Sequence, residues 1–295
     1  MLKNTKIAAV VIGLSFLLST AVYAQNYIRP LVKNLLAIGY PISAADVVAL
    51  DKISMHFNTR NRIDVLKQIL SDRQKIHGIK KAGYFEKTEV ICSALRLLDE
   101  HNLPETDALI GELSRQGGWE KREKELLSYM AAKRKIEYSS NVAYLLTALA
   151  EYSGNSELSS KVEISAEILD LCNCLSYLSG IFNHTGDLRI INDLFRFASQ
   201  AFGYPGEYVS RLLVDMFLQQ PKIFVSNLAA KDEQTKNTII DLMVFGIWNS
   251  QLKENVMEAI HDNLVLKGDS EKHAISLLIK KINLRFAPNP TNGNK

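Results

Sequence analysis

Apolar residues recur along this chain at the three-and-four spacing of a buried helix face. Val209, Leu212, Leu213, Met216 and Phe217 follow it, as do Ile239, Ile240, Met243 and Ile247, and Val256, Ile260 and Leu264. Earlier, Ile63, Leu66, Ile69 and Leu70 mark one helix, and Val90, Ile91, Ala94, Leu95 and Leu98 another. Side chains three or four apart share one side of a helix, so each stripe must be buried against a neighbour. No stretch shows sustained two-residue alternation with β-branched enrichment. The pattern predicts an all-α fold.

Punctuation supplies the boundaries. Ser43-Ala44-Ala45-Asp46 reads as a capping box that opens a helix. Gly39, Gly78, Gly154, Gly203 and Gly268 stand where helices should stop. Pro104, Pro205 and Pro221 stand in first turns, where a missing N–H costs nothing. The helices expected are 27–38, 43–56, 61–76, 87–101, 104–116, 119–136, 139–153, 156–182, 187–202, 206–219, 221–230, 235–249, 252–266 and 270–286. Short connections make sequential helices antiparallel neighbours. Phe202-Gly203-Tyr204-Pro205-Gly206 reads as a tight corner between two of them.

Starts near 187, 221 and 252 space helix pairs about 34 and 31 residues apart, which suits an α-solenoid. The tetratricopeptide pattern of Trp, Leu-Gly, Tyr and Pro is absent. The expectation is an irregular array of antiparallel helix pairs with HEAT-like α-solenoid character. A compact multi-helix bundle is the alternative. Gly117-Gly118 is the expected hinge between an N-terminal helical region, 25–117, and a C-terminal helical-repeat region, 118–287; Ile76 to Glu86 is an earlier break.

Residues 1–24 carry a different signal. Lys3 and Lys6 precede an almost unbroken apolar run, Ile7 to Ala21, and Val22-Tyr23-Ala24 ends it with small residues at the two positions a signal peptidase reads. This is a signal peptide with Gln25 as the new N-terminus. It implies a periplasmic or secreted protein; an uncleaved inner-membrane anchor formed by residues 7–24 is the alternative. No later segment is apolar over a spanning length. At the other end, 288–295 is polar and rich in Pro, Asn and Gly, the composition of a disordered tail.

Charge narrows the partners. The whole chain is formally +3, from 35 Lys and Arg against 32 Asp and Glu. Removing Lys3 and Lys6 leaves 33 against 32, or +1. That balance argues against a nucleic-acid partner. Glu120-Lys121-Arg122-Glu123-Lys124-Glu125 reads as a solvated helix face with a Glu120–Lys124 pair. The three cysteines read as buried thiols, or as one bridge from Cys92 to Cys172 or Cys174 in an oxidising compartment.

Candidate chemistry is sparse. There is no phosphate loop, dinucleotide-binding glycine pattern or metalloprotease histidine pair. Glu258 and His261 have the i, i+3 spacing of a di-iron ligand pair, but no second pair accompanies them. Ser250-Gln251-Leu252-Lys253 fits the serine-x-x-lysine spacing, in which a lysine one turn on deprotonates a serine, yet its companion motifs are missing. Ser250 reads instead as a helix cap. No catalytic residue, cofactor or metal is inferred.

Two features remain as candidate binding residues. Glu163, Glu167 and Asp170 form an acidic row at i, i+4, i+7, opposite an apolar side that includes Leu169. Phe195, Phe197, Phe202, Tyr204, Tyr208, Phe217 and Phe224 concentrate aromatics in one stretch; Tyr204 and Tyr208 are the candidate binding members, with Tyr204 at the corner placed at a wet edge. The function expected is an exported helical scaffold or adaptor that binds another protein. The alternative is a periplasmic small-molecule- or peptide-binding protein, with or without enzyme activity, using a pocket among the helices near 195–224.

Overall fold

The computed structural model describes residues 29–39, 59–80, 82–100, 104–155, 165–264 and 268–287. The expected helix 43–56, the signal segment 1–24, Glu163 and the tail 288–295 lie outside them. Every regular element among the described residues is a helix, so the fold is all-α. In chain order these are α1 Arg29–Ala37, α2 Thr59–Ser71, α3 Arg73–His77, α4 Tyr84–Asp99, α5 Pro104–Arg115, α6 Lys121–Lys133, α7 Tyr138–Gly154, α8 Ala166–Thr185, α9 Leu188–Ala198, α10 Gly203–Gln219, α11 Pro221–Ala229, α12 Glu233–Gly246, α13 Ser250–Asn263 and α14 Asp269–Arg285.

The chain divides into two compact units, Met1–Arg134 and Lys135–Lys295. In the first, α4 is the central helix. It packs against α1, α2, α3 and α6, and α5 packs on α6. The α4 stripe read from the sequence, Val90 through Leu98, is buried. Gly117-Gly118 falls inside this unit. The Gly117 carbonyl accepts from Arg73 Nη2 at 2.8 Å and the Gly118 carbonyl from Gln74 Nε2 at 2.8 Å. Arg73 also lies 4.3 Å over the Trp119 ring.

The second unit repeats one packing rule. Even-numbered helices touch the next even-numbered one, α8 on α10, α10 on α12, α12 on α14. Odd-numbered helices do the same, α7 on α9, α9 on α11, α11 on α13. Two parallel rows joined by short turns are what stacked helix pairs produce. The pair starts at Leu188, Pro221 and Ser250 are 33 and 29 residues apart.

Short-range chemistry explains most ends. Asp187 caps α9 by accepting from Arg189 N at 2.9 Å, and Asp232 caps α12 by accepting from Thr235 N at 2.9 Å. Gly186 closes α8 with φ +66°, and its N–H donates to Phe182 O at 2.7 Å. Three expectations are corrected. Asn249 caps α13, accepting from Leu252 N at 2.7 Å, so Ser250 is already inside the helix. Gly268 caps the start of α14 rather than stopping a helix. Gly203 opens α10, so the turn lies at 199–202, and Tyr204 and Pro205 belong to the first turn of α10.

The core of the second unit contains Phe195, Phe197, Phe217 and Phe224 of the aromatic stretch. Phe195, Phe217 and Phe224 are buried edge-to-face, with centroids 5.1 and 5.7 Å apart. Each such pair adds about 0.5–1.5 kcal/mol beyond area burial. Gly246 lets α12 approach α10 closely: a Cβ there would collide with the Ser210 carbonyl and stand 3.1 Å from Val214 Cγ2.

Candidate functional site

The predicted binding residues do not assemble into one site. Glu167 is exposed and Asp170 half-buried on the first turns of α8, and Glu163 lies outside the described residues. The apolar side proposed against them is corrected: Leu169 is 47% exposed, and α8 is buried through Ile168, Leu171, Cys172 and Leu175. Tyr204 and Tyr208 are half-buried on α10. The Tyr208 hydroxyl shares a 2.5 Å hydrogen bond with Ser176 Oγ of α8, so it ties two core helices together. Of the other aromatics, Phe195, Phe197, Phe217 and Phe224 are core, and Phe202 is exposed.

The solvated face expected at 120–125 is also corrected. Glu123 and Glu125 are buried. Glu123 accepts from Glu120 N at 3.2 Å and lies 3.0 Å from His77 Nε2. Burial holds its carboxyl above the usual carboxylate range, offset in part by His77. Lys124 Nζ donates to Ser114 O at 2.6 Å. Local periodicity gave no warning, because His77 is 46 residues away.

No disulfide joins the three cysteines, and all three are buried. Burial pushes the Cys92 thiol up to about 12 and the Cys172 thiol up to about 11. At neutral pH both are protonated and inert. Among the described residues no group of three or more His, Cys, Asp or Glu side chains is placed to hold a metal ion, and no helix is long and apolar enough to cross a membrane.

Each unit carries a cleft. In the first unit, a cleft of about 460 Å³ is lined by Asn34, Phe85, Glu86, Glu89 and Arg122. Its charges are committed to one another. Glu89 pairs with Arg96 at 2.7 Å and Arg122 at 3.0 Å, and Glu86 accepts from Gly83 N at 2.7 Å. In the second unit, an open depression of about 560 Å³ is lined by Lys135, Tyr138, His184, Thr185 and Asp187. Here the Tyr138 hydroxyl donates to Asp187 at 2.9 Å, and Arg189 pairs with Asp187 at 2.7 Å. That hydrogen-bonded arginine holds the Asp187 carboxyl below its ordinary range.

A third feature is different because its members are not spent on the fold. Phe245 at the end of α12 is 52% exposed, Trp248 in the following turn 70%, and Leu284 at the end of α14 67%. Arg285 joins the ends of α12 and α14. It donates to the Val244 carbonyl and lies 5.6 Å from the Phe245 centroid and 5.9 Å from that of Phe286. Lys253 Nζ on α13 lies 5.4 Å from the Phe286 centroid. The ends of α12 and α14 and the start of α13 therefore meet at Phe245, which is exposed, and Phe286, which is half-buried, with Arg285 and Lys253 laid across them. A signal for this patch was present in the sequence: Phe245 and Trp248 fall off the Ile239, Ile240, Met243, Ile247 stripe, so burial did not require them.

Compared with known proteins, the chain matches no family model, no curated protein and no solved structure.

Proposed function

We propose that this protein is an exported helical scaffold that acts by binding another protein. The observation that carries this reading is the exposure of Phe245 at the end of α12, Trp248 in the turn after it and Leu284 at the end of α14, with Arg285 laid across Phe245. Large exposed side chains gathered in one place are costly in water and mark interaction surfaces. Aromatics and arginine are also the residues that most often anchor protein interfaces. Rows of stacked helix pairs support the reading, since they present extended surfaces to partners.

The test is a photo-crosslinking residue placed at Trp248 in the native host, with Glu258 on the exposed face of α13 as control. A discrete protein adduct at 248, absent at 258, is expected. Equal and diffuse adducts at both positions would contradict the reading. Export is tested separately: the mature chain should begin at Gln25, and Met1 retained on membrane-bound material would favour the anchor.

A further inference from the structure

The patch carries information about the chemistry of its partner, given the protein-binding reading on which this inference rests. Arg285 lies over the exposed Phe245 ring and the half-buried Phe286 ring, Lys253 lies over Phe286 alone, and neither cation forms an ion pair among the described residues. The neighbouring cation is already neutralised: Lys281 pairs with Asp241 at 2.7 Å, one turn before Phe245 on α12. Glu254 adjoins Lys253 in sequence, but successive residues of a helix do not face each other. The patch therefore combines an apolar floor with two uncompensated positive charges. Arg285 is fixed by its bond to the Val244 carbonyl and its position between two rings, so its planar fork is pre-organised for a carboxylate.

We propose that the ends of α12 and α14, with the start of α13, form a docking site for an acidic peptide segment that carries an apolar anchor. The anchor packs on Phe245 and Trp248, and its flanking carboxylates meet Arg285 and Lys253. Two other occupants fit less well. A second copy meeting the same patch would place Arg285 and Lys253 of both chains against each other, because a two-fold contact is self-complementary. An anionic membrane draws on clusters of roughly four to eight basic residues, whereas the cations laid on these rings are Arg285 and Lys253.

The test is a random-peptide display selection against the immobilised full chain, run in parallel on wild type and Arg285→Glu. Wild type is expected to enrich Asp and Glu beside an aromatic residue or leucine. A selected peptide, synthesised and labelled, should bind Arg285→Glu and Trp248→Ser about tenfold more weakly. Selection on Arg285→Glu should shift toward Lys and Arg. Melting curves confirm that each variant is folded; Lys253→Glu replaces Arg285→Glu if that variant is not. Enriched peptides without acidic residues overturn the proposal, as do acidic peptides whose binding ignores these substitutions. In either case the protein-binding reading survives. Phosphatidylglycerol vesicles that retain the chain through Trp248, with no peptide selected, overturn it in favour of a membrane. A dimer abolished by Arg285→Glu overturns it in favour of a second copy. No selected peptide together with no adduct at 248 defeats the protein-binding reading itself.

Discussion

The interior of α1–α6 holds a buried carboxylate beside a histidine, whereas that of α7–α14 holds phenylalanines packed edge to face. In the first unit Arg73, Glu123 and Glu125 are buried among Leu, Ile, Val, Ala and Met. In the second, Phe182, Phe195, Phe217 and Phe224 are fully buried, and Lys236, paired with Glu233, is the one buried charge among the described residues. A buried ionic pair contributes little net stability, because desolvation offsets most of its attraction. Packed aromatic area contributes heavily. The comparison teaches that the second unit tolerates cavities poorly, while the first is the more sensitive to pH.

The largest expected effect is in the aromatic core. Phe217→Ala should cost about 3–5 kcal/mol, from lost transfer energy plus a cavity. Hydrogen exchange resolved by segment should show the loss across α8–α12, and a loss confined to α1–α6 would break the comparison. Next is Gly246→Ala. The added Cβ meets Ser210 backbone, which has little freedom to yield, so a cost of about 1–3 kcal/mol is expected in thermal melting.

The third prediction concerns pH. Glu123 has its folded pKa raised above the ordinary 4.5, so its contribution is fully present below about that value. It is lost as pH rises through the folded pKa. The stability of wild type relative to Glu123→Gln should therefore fall with rising pH, by at most about 1.4 kcal/mol per unit, the one-proton slope. Asp187 has the opposite sign. Its folded pKa lies below the ordinary 3.8, so its contribution is present above that value and fades as pH falls through the folded one. Asp187→Asn should show its deficit at neutral pH and lose it in acid. Urea titrations across pH check both, and parallel curves for the two variants would contradict the assignment. The smallest effect belongs to Trp248→Ser, expected within about 0.5 kcal/mol of wild type because the side chain is 70% exposed.

The fold was more legible than the site. The helix stripes were readable because burial repeats locally: Ile63, Leu66, Ile69 and Leu70, and Val90 through Leu98, are all buried as their spacing implied. Ends were readable to within a few residues where Pro104 and Pro221 mark first turns. What could not be read depends on distant residues. Glu123 lies in a charged run and is buried because α3 brings His77 to it. The turn into α7, where Lys135 and Glu137 take positive φ, contains no glycine or proline to announce it. The patch at Phe245 needed α14 to bring Arg285 back to α12, forty residues later in the chain.

The three buried thiols set a race. In the folded chain they are shielded, so no oxidant reaches them while both units stay closed. During export the chain would cross the envelope unfolded and arrive in an oxidising space with Cys92, Cys172 and Cys174 bare. Helix pairs form from contacts close in sequence, which fold quickly, while disulfide formation takes seconds to hours. On the proposed export route, the native thiols would survive only where closure outruns oxidation. Any change that slows folding without altering final stability would leave its mark as a wrongly paired disulfide.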